Sequence, residues 1–364
     1  MSGGVDSSVA AALLADAGHD VVGATLKLWG GDSDSGCCSV SDVDDARRVA
    51  DQIGIAHHVF NFTDDFDASV VAPYVAAHAA GRTPNPCIEC NRHIKFGTLL
   101  ERARRLGFDA LATGHHARVD GVARVDGGAR VDGGARADGG ARADGGAQGR
   151  RLLRGADRAK DQSYVLSMLA QAELAQVLLP VGALTKAEVR AHAAGLGLRT
   201  AFKPDSQDVC FIHSTAGRRG FLGDRLPLHP GEIVDADSGD VVGTVPAVEL
   251  VTVGQRRGLG VAVDGRRLYA LDVDVDARRI LVGHADAARA DHVAVCRPTW
   301  IDRPLDSGAR VLGQTSAHGR AAPCTWRGDA VVFDEPVPLV APGQTVALYD
   351  MDDTDVVAGS VLAA

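Results

Sequence analysis

Apolar and polar positions in the first half of the chain follow two alternating periods. Short apolar runs rich in β-branched residues predict buried strands at Val21–Leu28, Ala56–Phe62 and Asp109–Thr113. Helical spacing fills the intervals, and the predicted helices cover residues 9–17, 41–53, 64–80, 94–106 and 185–194. Strands that alternate with helices predict a parallel sheet covered on both faces. Ligands of such sheets lie beyond the carboxyl ends of the strands.

Local signals mark the ends of several predicted helices. Ser41 with Asp44, and Thr185 with Glu188, have the spacing of a capping box, which satisfies the first N–H groups of a helix. Gly18 follows the first helix, as expected for a residue that ends a helix in a left-handed conformation. These signals support the alternation of strands and helices.

From Pro227 onward the pattern changes to short Val-rich runs separated by Gly, Pro and Asp. No long helical period remains, which is typical of small β domains. We place one boundary near Thr215 and another near Asp286. The prediction is an α/β domain with a parallel sheet over residues 1–214, a central β-rich domain over 215–285 and a C-terminal β-barrel-like domain over 286–364.

Residues 118–147 repeat a six-residue Arg-Val/Ala-Asp-Gly-Gly-Ala unit. Each unit offers only small residues to bury against two charges and its glycines, so we interpret residues 118–149 as a low-complexity disordered insertion rather than a β-helix. The flanks, His116–Val119 and Arg151–Arg154, predict two strands of one hairpin with an expanded tip. Loop-closure cost grows only logarithmically with length, so a fold tolerates such an expansion.

Composition narrows the class of protein. The 364 residues contain no apolar run of membrane-spanning length and no basic and apolar leader, so we expect a soluble, cytoplasmic monomer without a membrane partner. The net charge of −9 argues against wholesale attraction to nucleic acid, although arginines cluster at 102–105, 150–154 and 218–219. Seven cysteines in irregular positions favour reduced, metal-binding or catalytic thiols over a secreted disulfide framework.

Residues 2–8 read Ser-Gly-Gly-Val-Asp-Ser-Ser and stand directly before the first predicted helix. Gly3 and Gly4 have no Cβ, so the backbone can approach phosphate oxygens closely. The helix N-terminus adds unpaired N–H groups and the positive end of the helix dipole, and the serine hydroxyls add donors. The lysine of a Walker A loop is missing. The segment therefore predicts a loop for the pyrophosphate of ATP outside the kinase and GTPase classes.

This heptad resembles the PP-loop of ATP pyrophosphatases, which cleave ATP between the α and β phosphates and adenylylate a substrate. Magnesium is expected with ATP, but no dedicated metal site is visible. Similar loops occur in GMP, NAD, asparagine and argininosuccinate synthetases and in tRNA-modifying enzymes, so the acceptor stays open. The implied ATP contacts, among which Asp6 is the candidate to approach the cation and Gly114 lets the nucleotide lie against the backbone, are Ser2, Gly3, Gly4, Val5, Asp6, Ser7, Ser8, Leu26 and Gly114.

Two cysteines stand in distinctive surroundings. Cys90 follows Thr-Pro-Asn-Pro at 83–86 and precedes Asn91 and Ile-Lys-Phe at 94–96, while Cys210 lies in Asp-Ser-Gln-Asp-Val-Cys-Phe at 205–211. At these residues the chain resembles the tRNA-specific 2-thiouridylases, the MnmA/TrmU family. The likeness continues in the family's order through segments at 112–115, 160–164, 254–260 and 342–344. It thus spans nearly the whole chain outside the repeat.

The resemblance implies ATP-dependent 2-thiolation of the wobble uridine in tRNA. Replacing a carbonyl oxygen by sulfur requires a leaving group and a sulfur nucleophile. ATP would supply the first by adenylylating the C2 oxygen, and a persulfide on Cys210, loaded by a cysteine desulfurase or a sulfur-relay protein, the second. Cys90 would be the partner thiol of a redox pair. Thiols that pair must come within about 7 Å between Cα atoms, so we expect both on loops across the active-site cleft.

RNA contacts also follow from the resemblance. The target base would leave its stack in the single-stranded anticodon loop at little cost. Where the family usually has an Arg-aromatic pair for RNA near the C-terminus, this chain has Ser316 and Ala317. The implied contacts are Asn85, Pro86 and Cys87 for the base and Lys160, Asp161 and Gln162 for the RNA.

Alternatives remain at the level of single residues. A zinc site is one interpretation of Cys37, Cys38, Cys87 and Cys90, although adjacent cysteines fit a tetrahedral site poorly. Cys296 and Cys324 are interpreted as packing residues. The pair His115 and His116 follows a strand end, where a catalytic or a backbone-capping role is open.

Two other functions remain as alternatives, a small-molecule synthetase with the same loop and a noncatalytic tRNA-binding relic. The relic hypothesis arises because a PP-loop should follow a strand, whereas this chain begins at Met1 directly before Ser2. We expect that the first strand is missing from the gene model, with Met1 an internal residue of the true protein.

Overall fold

The computed structural model describes residues 1–29, 40–121, 149–205, 209–212, 217–260 and 265–364. No helix in these segments is long and apolar enough to cross a membrane. Wider π-helical turns at Asp67–Val71 and Cys90–Leu99 join successive α-helices, and 3-10 turns occupy Arg199–Phe202 and Val248–Leu250. The α-helices are α1 (Val5–Asp16), α2 (Val40–Ile53), α3 (Thr63–Phe66), α4 (Ala72–Ala79), α5 (Pro86–Glu89), α6 (Leu100–Arg105), α7 (Ser163–Leu166), α8 (Gln171–Leu174), α9 (Lys186–Gly195) and α10 (Gly217–Gly223).

The strands of the N-terminal region form short pairs. Strands β1 and β2 are parallel with Val22 opposite Ala56, and β3 and β6 are parallel with Leu111 opposite Val177. The predicted parallel α/β arrangement is confirmed. Within the described residues it consists of two parallel pairs of strands, and no hydrogen-bonded ladder joins one pair to the other. The strands that the described residues form in this region are β1 (Val22–Lys27), β2 (Ala56–Asn61), β3 (Leu111–Ala112), β4 (Ala117–Asp120), β5 (Arg151–Arg154) and β6 (Val177–Leu178).

Helix ends agree with two of the three sequence signals. The Thr185 hydroxyl accepts a hydrogen bond from the Glu188 backbone, and the Glu188 carboxylate accepts one from the Thr185 backbone at 2.7 Å. Gly18 follows α1 with φ +86°. Ser41, in contrast, lies inside α2, which begins at Val40, so the capping box predicted there is wrong.

The helix predicted over residues 94–106 begins at Pro86 instead. Asn85 is its N-cap, because the Asn85 Oδ1 atom accepts a hydrogen bond from the Cys87 backbone at 3.0 Å. Pro86 takes the first helical position, where a missing N–H costs nothing. The run of α5, the π-helical segment and α6 is therefore continuous from Pro86 to Arg105.

The C-terminal half forms the two small β units that the sequence predicts. A four-stranded sheet has the order β8-β7-β10-β9, and six strands close a barrel in the order β11-β14-β13-β12-β15-β16. The sheet strands are β7 (Gly231–Asp235), β8 (Val241–Val245), β9 (Tyr269–Asp274) and β10 (Arg279–Gly283), and the barrel strands are β11 (Arg289–Trp300), β12 (Arg310–Gln314), β13 (Ala322–Trp326), β14 (Ala330–Pro338), β15 (Thr345–Asp350) and β16 (Val357–Ala363).

Strands β4 and β5 form the predicted antiparallel hairpin, with Ala117 opposite Arg154. The insertion was predicted to begin at residue 118, but residues 118–120 pair with 151–153 and so belong to β4. Residues 122–148 of the repeat lie outside the described residues. The hairpin also packs on the barrel, since the Arg154 backbone N–H donates to the Asp355 carbonyl at 2.9 Å and Arg118 Nη2 to the Asp355 carboxylate at 2.6 Å.

Both β units hold the loop that precedes α5. The Thr83 backbone N–H donates to the Pro342 carbonyl at 2.9 Å, and the Gln344 amide donates to the Thr83 carbonyl. The Thr83 hydroxyl meets the Thr252 hydroxyl at 3.2 Å. The Pro-Gly-Gln segment at 342–344 therefore fixes the chain just ahead of the cysteine-bearing helix.

Candidate active site

The N-terminus of α1 is open to an anion. Gly4 is the N-cap residue of α1. Among the described residues, no side-chain hydrogen bond caps the helix at this position. Gly3 has φ +70°, and a Cβ there would lie 2.3 Å from the Asp42 carbonyl oxygen, so only glycine fits. A Cβ on Gly4 would meet only Ser2 Oγ, at 3.4 Å. An anion can therefore approach the backbone on the Gly4 side.

Most hydroxyl groups of this loop are engaged within the loop. Ser8 is fully buried and donates to the Gly4 carbonyl at 2.8 Å. Ser7 donates to the same carbonyl at 3.2 Å and accepts from the Ser2 backbone at 3.1 Å. The Val5 side chain is buried in the core. The expectation that serine hydroxyls face a phosphate is thus wrong for Ser8, whose hydroxyl points into the protein.

Asp6, in the first turn of α1, is the centre of a charged cluster. Its carboxylate accepts a hydrogen bond from His116 Nε2 at 3.0 Å and from Lys186 Nζ at 2.8 Å to each oxygen. Burial raises the pKa of Asp6, but the hydrogen bonds from His116 and Lys186 outweigh it and the pKa lies below the ordinary value. Asp6 is therefore ionised at neutral pH, and at 31 % exposure it remains accessible to a cation.

Lys186 connects this cluster to the segment that carries Cys210. Its Nζ also donates to Asp205 Oδ1 at 2.9 Å, and Lys160 Nζ donates to Asp205 Oδ2 at 2.8 Å. Burial raises the pKa of Asp205, but the hydrogen bonds from Lys160 and Lys186 hold it far below the ordinary range. One ammonium group, 13 % exposed, thus bridges the nucleotide loop and the chain leading to Cys210.

Gly114 and Leu26 flank the loop. A Cβ on Gly114 would lie 2.6 Å from the backbone of both Asp6 and Ser7. Glycine is therefore needed at 114 for contact with the loop itself, a reason that the sequence does not reveal. Leu26, near the carboxyl end of β1, is partly buried and packs against the apolar cluster around Cys90.

Cys90 and Cys210 belong to one apolar cluster, although they are distant in sequence. Cys90 is 8 % exposed, and the partly buried Cys210 packs against the same group, which includes Phe66 and Tyr74. Neither thiol is in a disulfide. Cys90 opens the π-helical segment, so the expectation that it lies on a loop is wrong. Such wide turns are frequent at functional sites of helices.

The three predicted base contacts form the first turn of the helix that carries Cys90. Asn85 caps this turn through its Oδ1 atom, and Pro86 is buried. Cys87 is partly exposed. The turn thus stands directly before Cys90, with Asn85 and Cys87 partly exposed.

Lys160 and Gln162 are exposed residues, whereas the side chain of Asp161 between them is internal. Lys160 is 44 % exposed. The Asp161 side chain is only 8 % exposed and accepts hydrogen bonds from the Arg154 guanidinium and from the Gly155 and Ser163 backbones. Gln162 Oε1 accepts from the His116 backbone at 2.9 Å. Lys160 and Gln162 therefore lie at the surface, Gln162 with its carbonyl oxygen bound to the His116 backbone, and Asp161 organises the chain beside them.

Comparison with known proteins assigns the family. A family model described as "tRNA methyl transferase HUP domain" matches residues 1–214, and one described as "tRNA methyl transferase PRC-barrel domain" matches residues 219–284. A protein of Roseiflexus castenholzii named tRNA-specific 2-thiouridylase MnmA is 44 % identical over 362 residues, 96 % of this chain and 95 % of the relative. The chain belongs to the tRNA-specific 2-thiouridylase family.

Other relatives with the same printed name agree. The protein of Acidothermus cellulolyticus is 44 % identical over 100 % of this chain and 96 % of its own length. That of Cutibacterium acnes is 41 % identical over 97 % of this chain and 92 % of its own. The resemblance found from the segments around Cys90 and Cys210 is confirmed.

The remaining cysteines of this thiouridylase-family chain differ among themselves. Cys324 is fully buried in the barrel, burial raises the pKa of its thiol to about 12, and the packing interpretation is confirmed. Cys296 is exposed, so that interpretation is wrong for it. Cys37 and Cys38 lie outside the described residues, which contain no cluster of three or more metal-ligating side chains.

Three ionisable residues of the site were missed from the sequence. From the sequence, His116 has no single predicted role and Asp205 has no predicted role. Lys186 is predicted only as part of the helix that the capping box at Thr185 opens. One signal was present, because a lysine in the first turn of a helix opposes the positive end of the dipole and indicates a partner elsewhere. The partners are Asp6 and Asp205, which only the fold brings together.

Proposed function

We propose that this chain is an enzyme that thiolates the C2 position of the wobble uridine in tRNA at the expense of ATP. One observation carries the proposal: two thiols lie in one apolar cluster, and Lys186 joins the segment of one of them to an anion-binding helix N-terminus. The relatives named 2-thiouridylase support the tRNA substrate and the transfer of sulfur.

The loop before α1 fits a triphosphate. Phosphate oxygens can reach the first N–H groups of the helix on the open side of Gly4. The Lys186 ammonium is hydrogen-bonded to Asp6 in the same turn of the helix. When bound, ATP supplies the adenylyl group that makes the C2 oxygen a leaving group. Asp6 would hold its Mg²⁺ with one carboxylate, as that ion prefers. Lys186 would balance negative charge in the site and keep the Asp205 segment close.

Cys210 would carry the sulfur as a persulfide loaded by a cysteine desulfurase or a sulfur-relay protein. The terminal sulfur attacks C2, a C–S bond forms, and the C2–O bond breaks as AMP leaves. The Cys90 thiolate then attacks Cys210 Sγ, the S–S bond breaks, and its electron pair stays on the sulfur now attached to the base. The products are 2-thiouridine and a Cys90–Cys210 disulfide. A thiol reductant then reduces this disulfide and restores both thiols.

The apolar surroundings of both thiols support this chemistry. Phe66, Tyr74 and Phe211 pack around them, and such a cluster limits the access of water that would hydrolyse an activated base. The partly exposed first turn at Asn85–Cys87 would contact the target base, and Lys160 the RNA backbone. We further propose that residues 1–214 carry the chemistry, that 215–285 and 286–364 help to hold the RNA, and that a monomer suffices because both thiols belong to one chain.

Nucleoside mass spectrometry after incubation with tRNA, ATP and a sulfur donor tests the function. Wild type should produce 2-thiouridine, and Cys210→Ser and Cys90→Ser should lose it. Cys296→Ser, which changes an exposed thiol in the barrel, is the matched control and should retain it. A methylated uridine instead of a thiolated one, or full activity of Cys210→Ser, would overturn the proposal. Binding of tRNA without pyrophosphate release would favour a noncatalytic relic.

A further inference from the structure

A polar cavity lies between the cysteine-bearing helix and the C-terminal barrel. It has a volume of about 210 Å³ and is separate from the PP-loop and the thiol cluster. Its lining combines two guanidinium groups, three hydroxyl groups and one carboxylate. The residues that provide them are Arg92, Arg297, Thr299, Thr345, Ser360 and Glu89.

Arg297 reaches this cavity from a strained position. It has φ +50°, one of two non-glycine residues with a positive φ among the described segments. It sits in a β-bulge: Cys296 and Thr299 of β11 pair with Leu362 and Ser360 of β16, which leaves one extra residue on β11. Bulges redirect side chains, and a left-handed conformation is unfavourable for arginine. The barrel thus maintains an unfavourable backbone where the side chain lines a cavity.

Arg92 lines the same cavity from the helix that carries Cys90. Its Nη1 meets Thr299 Oγ1 at a long 3.4 Å, and its buried Nε has no hydrogen-bond partner among the described residues. The nearest carboxylate oxygen, on Glu89, lies 3.8 Å from Nε and is closer to His93 Nε2, at 3.1 Å. Because Nε is itself buried, an anionic oxygen would meet the outer nitrogens of this guanidinium, whose side chain is 30 % exposed.

The charge of the cavity selects the anion. Two arginines against one glutamate leave a net charge of +1. This matches the single negative charge of a phosphodiester, whereas the Glu89 carboxylate repels the more highly charged pyrophosphate or nucleotide. Arg92 also lies only roughly 10 Å along the helix axis from Asn85, where the target base would be contacted.

We propose that this cavity binds one phosphodiester of the RNA substrate next to the target nucleotide, with Arg297 and Arg92 as its ligands. The inference rests on the proposed function, since it needs tRNA as the substrate. It gives the barrel a specific part in holding the RNA strand against the helix that carries Cys90.

The test is the salt dependence of tRNA binding, measured by fluorescence anisotropy with labelled tRNA. Arg297→Gln and Arg92→Gln should each weaken binding roughly tenfold at low salt. Each should also reduce the slope of log Kd against log salt concentration by about 0.7 to 0.9. Arg289→Gln, which removes the same charge from the start of the same strand, should leave the slope at its wild-type value.

A further variant and a competition experiment distinguish failure of this inference from failure of the proposed function. Arg297→Gly, which relieves the backbone conformation, should keep the Tm of wild type and still show the same reduction of the salt slope as Arg297→Gln. Wild-type binding with unchanged slopes in the variants would overturn this inference alone, whereas no wild-type binding would overturn the proposed function as well. Displacement of tRNA by inorganic pyrophosphate at constant ionic strength, from wild type but not from Arg297→Gln, would show a small-anion site and contradict the proposal.

Discussion

At the residue scale, the charged bridge through Lys186 is the feature that the sequence conceals most. Roles for the heptad, Cys90 and Cys210 can be predicted from the sequence because each stands in a distinctive local segment. Lys186, His116 and Asp205 come together only when α1, α9, the residue before β4 and the chain after α9 converge. Ser8 shows the reverse case, since its hydroxyl looked available and is buried by the turn that it stabilises.

Lys186→Met should reduce thiolation by roughly 10- to 100-fold. The substitution removes charge-assisted hydrogen bonds to both carboxylates, so that Asp6 keeps His116 and Asp205 keeps Lys160 as partners, a loss of about 1.5 to 3 kcal/mol. Arg190→Gln is the control, because Arg190 contacts Asp205 at 2.8 Å without reaching Asp6. Single-turnover product formation at saturating ATP measures the effect. Equal activities of Lys186→Met and wild type would show that the bridge is only structural.

His78 predicts a pH dependence of stability. It is 1 % exposed and donates to the Glu249 carbonyl at 3.1 Å, and burial lowers its pKa to about 4. Below pH 6.5 the His78 side chain binds a proton in the unfolded chain, whereas in the folded chain it stays neutral until the pH approaches 4. The free energy of unfolding should therefore fall by about 3 kcal/mol between pH 6.5 and pH 4.

His78→Asn keeps a donor for Glu249 and should flatten the pH profile of urea unfolding over that interval. His192→Gln, an exposed histidine on α9, should not change it. Superimposable profiles for wild type and His78→Asn would rule out this origin of the pH dependence.

At the scale of elements, alternation of period predicted β1, β2, α2 and the hairpin of β4 and β5 closely. It failed where a polar segment is helical, because Pro84, Asn85 and Pro86 look like a loop until Asn85 caps α5. The wide turns at Cys90–Leu99 were also unpredictable, since they depend on Gly97. A Cβ there would lie 2.9 Å from the Arg92 carbonyl oxygen, so a residue with no side chain is required.

Replacing residues 122–148 by a two-residue Asn-Gly turn should leave thiolation intact. The hairpin is held by its own pairing and by contacts of Arg118 and Arg154 with Asp355. If the replaced loop is as disordered as its composition predicts, the shorter connection raises the free energy of unfolding by roughly 1 to 2 kcal/mol. Thermal unfolding and nucleoside analysis check both parts. A lower Tm would mean that the repeat makes stabilising contacts of its own.

At the scale of the whole molecule, the β units complete the site rather than merely follow it. Pro342 and Gln344 hold Thr83, and Thr252 meets the same residue from the central unit. The barrel also supplies Arg297 to the cavity beside Arg92. The sequence predicted two β units but not their contacts, because inter-unit hydrogen bonds leave no periodic signal. The cysteine-bearing helix is thus positioned by all three parts of the chain.

The most direct test of the central claim counts disulfides in a single turnover. Enzyme loaded with persulfide on Cys210 is mixed with ATP and tRNA without reductant, then quenched with an alkylating agent. Peptide mass spectrometry should find one Cys90–Cys210 disulfide for each 2-thiouridine formed, and none when ATP is omitted. Formation of 2-thiouridine while Cys90 remains fully alkylated would contradict the account.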